Sequence, residues 1–350
     1  MPDLRGRAQR LLGSRTVAFA AVVVLCVGGI VTYVLVQRSQ DAAAASAAAE
    51  REAARPRSAV EDVLAVPHLV VRNTEGGPSY GKIALIPLDD PDGPRAIVDI
   101  SCERISATAA GAICLQQDPG VLTSYRAVFL DSHFRQTGGQ ALAGIPSRAR
   151  ISSGGRYSAS TVFVTGHSYT TAQFSAQTVI TDVASGVSLG ELETWKTVRG
   201  GAVVNAGDRN FWGVTFLGDG PEFYATLGTG GQIQLVKGNV TTRTMEVLGV
   251  QGACPSLSPD GHSVVYKRMD SASTFHFVAM DLRTHETVDL PEKRQVDDQV
   301  SWLDDGTVIY GAGRDASTVD FDIWSAPVDG GAPELLVPDA ASPSVVVPGR

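Results

Sequence analysis

The chain has 350 residues, with 37 glycines, 18 prolines, four cysteines, and 29 basic against 37 acidic side chains. That length admits one large domain or two smaller ones, and glycine and proline scattered along the chain suit many short strands and turns. The first 57 residues hold eight basic and four acidic side chains, so 21 and 33 remain beyond them, a net charge of −12. That balance argues against nucleic acid or anionic headgroups as partners there, since both are held by cationic contacts to phosphate.

Four arginines, Arg5, Arg7, Arg10 and Arg15, precede "TVAFAAVVVLCVGGIVTYVLV", an uncharged run from Thr16 to Val36. A helix of this length crosses a hydrocarbon core of about 30 Å. The apolar region exceeds that of a cleaved signal peptide, and "QRSQD" after it lacks a small-residue cleavage site, so an uncleaved anchor is expected over residues 16–36. The arginines place residues 1–15 in the cytoplasm and the bulk of the chain outside. Cys26 follows Leu25 rather than a small residue and reads as an ordinary membrane-helix cysteine. Residues 37–57, rich in alanine until Pro56, form a helical or flexible stalk.

From residue 58 the texture becomes β. In "CPSLSPDGHSVVYKR", starting at Cys254, Pro259 and Asp260 suit the centre of a type I turn, and Gly261 suits a G1 bulge. Its flanks are short β-prone runs, so the stretch predicts a hairpin. Equivalent glycines recur at Gly111, Gly155, Gly220, Gly261 and Gly306, spaced 44, 65, 41 and 45 residues apart. Periods of about 40–45 residues are those of four-stranded propeller blades. The long interval requires an insertion, with "GHSYTTAQFSAQ" and "TWKTVRGGAVVNAGDRN" as candidates.

A second set of turns, after Leu88, Leu130, Thr181, Val236, Met280 and Val328, has six members. The unmatched first one is explained by the end of the chain. "SPSVVVPGR" at Ser342 repeats "CPSLS", and Pro255 to Pro343 is 88 residues, two periods of 44. Blade one is therefore expected to take its outer strands from about His68 to Ile100 and its innermost strand from Ser344 to Val347, closing the ring and leaving no open sheet edge. Six blades follow over residues 58–350, with a seventh hidden in the long repeat as the alternative.

"PSLSPDGHSVVY", "VSWLDDGTVIYG" and "DIWSAPVDGGAPELL" resemble the TolB-type, WD40-like propeller repeat. The match is good over about Cys254 to Val347 and degrades toward the N-terminus. The resemblance implies a six-bladed, all-β propeller in the cell envelope, used as a binding platform. The anchor helix, and the lack of an obvious α/β domain before the blades, separate this chain from periplasmic TolB of Gram-negative bacteria. Its texture looks more like a membrane-tethered actinobacterial relative.

Few residues suggest chemistry. "GVSLG", Gly186 to Gly190, fits a nucleophile motif, but Ser188 needs a strand-to-helix elbow and falls where a hairpin is expected. The histidines, His68, His133, His167, His262, His276 and His285, show no metal-ligand spacing. Acidic groups at Asp89, Asp90 and Asp92, at Asp297 and Asp298, at Asp304 and Asp305, and at Asp320 and Asp322 could hold calcium or serve as acid and base. Asp219, Asp260 and Asp305 read instead as turn residues bonding the local backbone. Cys102 and Cys114 are the candidate disulfide of an oxidising exterior. Aligning the turn at Thr108–Gly111 with the others sets Ser106 opposite Cys114, so a bridge would need a local change of register. Cys254 reads as a lone buried thiol. Trp302, Trp324, Phe321, Tyr310, Phe223, Tyr224 and Tyr266 recur at like places and read as packing between blades. Trp195 and Trp212 are the candidate recognition surface. No catalytic residue, cofactor or metal ligand is assigned.

The expectation is a single-pass, membrane-anchored, extracytoplasmic propeller that binds an envelope protein or cell-wall component. A propeller hydrolase or lyase acting on sugars or peptides at the central channel, and the ectodomain of a sensor, are the alternatives.

Overall fold

The computed structural model describes residues 4–54, 56–118, 120, 122–164, 175–270, 274–294, 296–314 and 320–349. His167 and most of the first candidate insertion lie outside them. Helix α1 (Leu4–Ala54) is continuous, so the alanine-rich segment is helical through Ala54, and it holds a stretch long and apolar enough to cross a membrane. A short α2 (Val60–Leu64) precedes the sheets and buries Val63.

The rest is a six-bladed β-propeller. Blade one has β1 (His68–Asn73), β2 (Lys82–Pro87) and β3 (Ala96–Ser101). Blade two runs β4 (Arg104–Thr108), β5 (Gly111–Asp118), β6 (Ser124–Leu130) and β7 (Gln136–Leu142), and blade three β8 (Ile145–Ile151), β9 (Tyr157–Val164), β10 (Ser175–Asp182) and β11 (Val187–Glu191). The insertion follows as a 3-10 turn (Leu192–Thr194), β12 (Lys196–Arg199) and β13 (Ala202–Val203). Blade four has β14 (Asn210–Phe216), β15 (Glu222–Thr229), β16 (Gln232–Asn239) and β17 (Thr244–Gln251). Blade five has β18 (Ala253–Leu257), β19 (Ser263–Met269), β20 (Phe275–Asp281) and β21 (Thr287–Asp289). Blade six has β22 (Ser301–Asp304), β23 (Thr307–Gly313), β24 (Phe321–Pro327) and β25 (Glu334–Val337). The last strand, β26 (Ala340–Val346), then returns to blade one and pairs antiparallel with β1, His68 facing Val346 and Asn73 facing Ala340.

Among the described residues the long repeat holds no seventh blade. Strand β12 lies parallel to β17 and extends blade four to six strands, in the order β13-β12-β17-β16-β15-β14. The ring is held by six buried apolar clusters, one at each junction between neighbouring blades. At the closing junction Leu69, Val71, Ile309 and Ile323 are fully buried together. The period-2 alternation of each strand supplies this pattern, because alternate side chains enter opposite junctions.

The turns differ from expectation in two ways. At Ser258–Ser263 the chemistry is local: Asp260 accepts the His262 N–H at 2.9 Å, and Gly261 has φ +73°, a conformation that glycine adopts without a Cβ clash. Asp219 and Asp305 instead reach the preceding blade. Asp219 accepts from the Ser152 hydroxyl at 2.8 Å, and Asp305 from the Asp260 N–H at 3.1 Å. Val236 ends no strand, since β16 runs on to Asn239, whose side-chain oxygen accepts the N–H groups of Thr241 and Thr242 in the turn.

Cys102 and Cys114 are joined, with Cα atoms 5.5 Å apart. The register that seemed to oppose this bridge does not govern it. Ile105, rather than Ser106, faces Cys114, and Cys102 lies outside β4 in the link from blade one, where its N–H donates to Gly81 O at 2.8 Å. The sulfur bond thus ties the crossing between two blades to β5. Replacing both cysteines with serine is expected to lower unfolding free energy by about 3 kcal/mol, the chain-entropy value for a loop of this size. Urea unfolding of the two proteins measures it, and equal midpoints would refute it.

Candidate binding site in the axial channel

The innermost strands β26, β4, β8, β14, β18 and β22 surround the axis. Three of them carry polar residues at alternate positions: Arg104 and Ser106 on β4, Arg148 and Arg150 on β8, Ser342 and Ser344 on β26. Residues two apart share one face of a strand. On an innermost strand that face looks along the channel, so apparently ordinary polar alternation becomes a cluster of cations.

The blade-three arginines cross the axis. Arg150 donates to Val300 O at 2.8 Å and to the hydroxyls of Ser256 and Ser301, both at 3.4 Å, in blades five and six. Arg148 donates to Asp297 Oδ1 at 2.8 Å, and the Arg104 guanidinium lies 3.4 Å from Asp297 Oδ2. Lys267 is buried, and its Nζ donates to the carbonyls of Val296, Asp297 and Asp298 at 2.5, 3.1 and 3.0 Å. Asp298 accepts the N–H groups of Ser342 at 2.6 Å and Gln299 at 2.9 Å. Blades three, five, six and the closing strand therefore meet in one hydrogen-bonded plug.

Backbone geometry contributes. Cys254 and Ser342, each before a proline, have φ of +51° and +50°, and Gly213 has φ +64° at the corresponding place in β14. The inner strands bulge at these points. Such bulges re-aim groups out of the ladder: the Ser342 N–H turns to Asp298, and the Cys254 N–H donates to Thr226 Oγ at 2.7 Å. A left-handed non-glycine residue costs about 1–3 kcal/mol, and these hydrogen bonds help offset it.

Electrostatics follow from burial and pairing. Burial pushes the Arg150 guanidinium down to about 10, since no carboxylate touches it. It also acts to raise the Asp297 carboxyl, but the adjacent Arg148 guanidinium outweighs this and holds it at about 2. The Asp297 side chain itself stays largely exposed to solvent. Burial lowers Lys267 as well.

The other expected site residues fall elsewhere. Trp195 is a correction: it is 3% exposed and packs edge-on against Phe223, 5.9 Å between centroids, because the insertion is folded onto blade four. Trp212 is half-buried, its ring against Gly228. Ser188 sits within β11 of the β10–β11 hairpin with its hydroxyl accepting the Gly190 N–H at 3.3 Å, rather than on a strand-to-helix elbow. Of the acidic clusters, Asp297 and Asp298 serve the plug, and Asp322 pairs with Arg314. Among the described residues no group of three metal-ligating side chains forms. Two larger cavities lie elsewhere. One of about 210 Å³ lies between blades one and two beside His68, His133 and Phe134. One of about 130 Å³ is lined by Glu191, Glu193 and Arg209. Burial raises Glu193 to about 7, but its two oxygens accept the Phe211 and Thr178 N–H groups at 3.1 and 3.4 Å, a structural use.

The propeller fold finds its counterpart among solved structures. TolB from Acinetobacter baumannii superposes with a TM-score of 0.54 at 15% identity, over 80% of this chain and 66% of that one. The fold is TolB-like. The chain thus spans just under two thirds of that TolB. A structure assigned to TolB in Agrobacterium tumefaciens gives 0.48 at 10% identity, over 79% of this chain and 91% of that one. A puromycin-hydrolyzing peptidase of Mycobacterium tuberculosis gives 0.43 at 12%, over 75% and 42%. No protein-family model and no curated protein matches the sequence. At these identities the TolB-like likeness concerns the fold alone.

Proposed function

We propose that the chain is a membrane-anchored, extracytoplasmic propeller that binds an envelope protein or cell-wall component without catalysis. The carrying observation is the distribution of exposed apolar side chains over the two faces of the ring. The antiparallel registers put the starts of the innermost strands, the β1–β2 and β5–β6 loops and the channel mouth on one face. The SPDG-type turns lie on the other. Tyr80, Leu122, Ile145, Phe163 and Met269 are 38–86% exposed at the mouth face, and Ile145 and Phe163 are cross-strand partners. Among the described residues the exposed counterparts at the turn face are Val66 and Val187, while Val203, Leu248, Val288 and Leu335 are exposed on outer strands. Apolar residues about a charged centre suit recognition of a protein surface better than of a small polar substrate.

The plug supports the same reading. Most of its charged groups bond one another or backbone carbonyls, and the space among them is about 10 Å³, too small for a sugar ring or a peptide. The arginines before the apolar stretch favour an N-terminus in the cytoplasm, with the propeller outside.

The test places a photo-crosslinking residue at Leu122, Met269 or Val187 in the full-length protein in its native envelope. A discrete protein or wall adduct from Leu122 and Met269, and none from Val187, is the expected result. Adducts from Val187 alone, or only lipid from all three, would overturn the assignment of this face.

A further inference from the structure

We propose that the small cavity inside the axial plug binds a single halide ion, chloride in ordinary surroundings. The charge balance is the first observation. Arg104, Arg148 and Arg150 line the cavity, against Asp298 in the lining and Asp297 beside it, one positive charge in excess within a body of net negative charge. Arg148 and Arg104 share Asp297, Asp298 is taken by Ser342 and Gln299, and Arg150 has only neutral acceptors. Buried charge without a counter-ion is costly, so a fold that retains it favours an anionic guest.

The donor inventory is the second, independent observation. Ser106 and Ser344 line the cavity, and each hydroxyl oxygen accepts a backbone N–H, from Ile151 at 3.2 Å and from Ala107 at 3.0 Å. Each hydroxyl keeps its own proton to donate. The Nε–H groups of Arg148 and Arg150, buried in the same plug, have no acceptor. The lining also holds one unpartnered acceptor, Gln299 Oε1, so donors outnumber acceptors, and a halide accepts from several donors at once.

Size selects the class of anion. About 10 Å³ is close to the room one water-sized sphere needs. A monatomic ion fits with small side-chain shifts; sulfate, phosphate or a carboxylate does not. The ion would link the arginine struts of blade three to the closing strand and make the ring sensitive to the kind of salt present, independently of any partner at the mouth face.

Bromide is the probe. In the full-length protein, thermal unfolding at constant ionic strength is expected to rise saturably as sodium bromide or chloride replaces sodium gluconate. Crystals grown in bromide are expected to show one anomalous peak between Arg150, Ser106 and Ser344. Arg150→Lys should weaken the bromide dependence by about tenfold, the loss of one charge-assisted hydrogen bond. An ordered water without anomalous signal at that position in the unsubstituted protein, or unfolding indifferent to the anion, would overturn the proposal, and neither result depends on a variant that folds.

Discussion

A chain ending at Val337, which lacks β26, is expected to lose the cooperative unfolding transition of the propeller. The strand is the fourth of blade one and the seal of the ring. Without it, β1 loses a whole ladder, and Leu69 and Val71, which are fully buried, face solvent along one edge. Each such side chain contributes about 1.5–3 kcal/mol on burial. The bonds that run from β26 into other blades also vanish: Ala107 N–H to Ser344, Ser301 Oγ to Pro343 O at 2.6 Å, and Ser342 N–H to Asp298. Together these approach the whole stability of a domain, about 5–15 kcal/mol. Urea titration followed by tryptophan fluorescence measures the effect, with a synthetic peptide of residues 338–349 added in trans as the control. Rescue by the peptide identifies the missing strand as the cause. A truncated chain that unfolds at the same urea concentration as the full one would refute closure by this strand.

That closure was legible because Ser342-Pro343-Ser344 copies Cys254-Pro255-Ser256 two periods away, and the copy extends to backbone geometry, with both residues before proline left-handed. Hairpin chemistry at Ser258–Gly261 was legible for a similar reason, since turn residues act locally. What depends on the ring as a whole was not. Arg148 and Arg150 in "PSRARI" alternate as surface residues of an exposed strand do, and only the innermost position of β8 turns that face toward the axis. Trp195 looked free because it lies in an insertion. Strand β12 docks on β17, far along the chain, and that pairing buries the ring. Asp219 and Asp305 looked local because the turn motif is local, yet their acceptor oxygens reach one blade back. The Cys102–Cys114 pairing was legible from the sequence, but the register argument raised against it failed because it was applied to a residue outside any strand.

Lys267→Met is expected to destabilise the protein by about 3–5 kcal/mol, comparable to breaking a buried ion pair by removing one member. Methionine fills the space of the lysine stem but supplies no donor, and the carbonyls of Val296, Asp297 and Asp298 lose the three N–H groups of one ammonium. An unsatisfied buried acceptor costs about 1–3 kcal/mol. The damage should spread in a defined direction. The 296–298 segment carries Asp297, which holds Arg148, and Asp298, which holds the Ser342 N–H of the closing strand. Loosening it should therefore speed hydrogen exchange at the Ser342 amide more than at amides of β15 and β16, which the segment does not touch. Urea midpoints give the size of the effect, and amide exchange gives its route. A Met variant within about 1 kcal/mol of the parent, with Ser342 protection unchanged, would mean that the lysine is not what joins the channel to the seal of the ring.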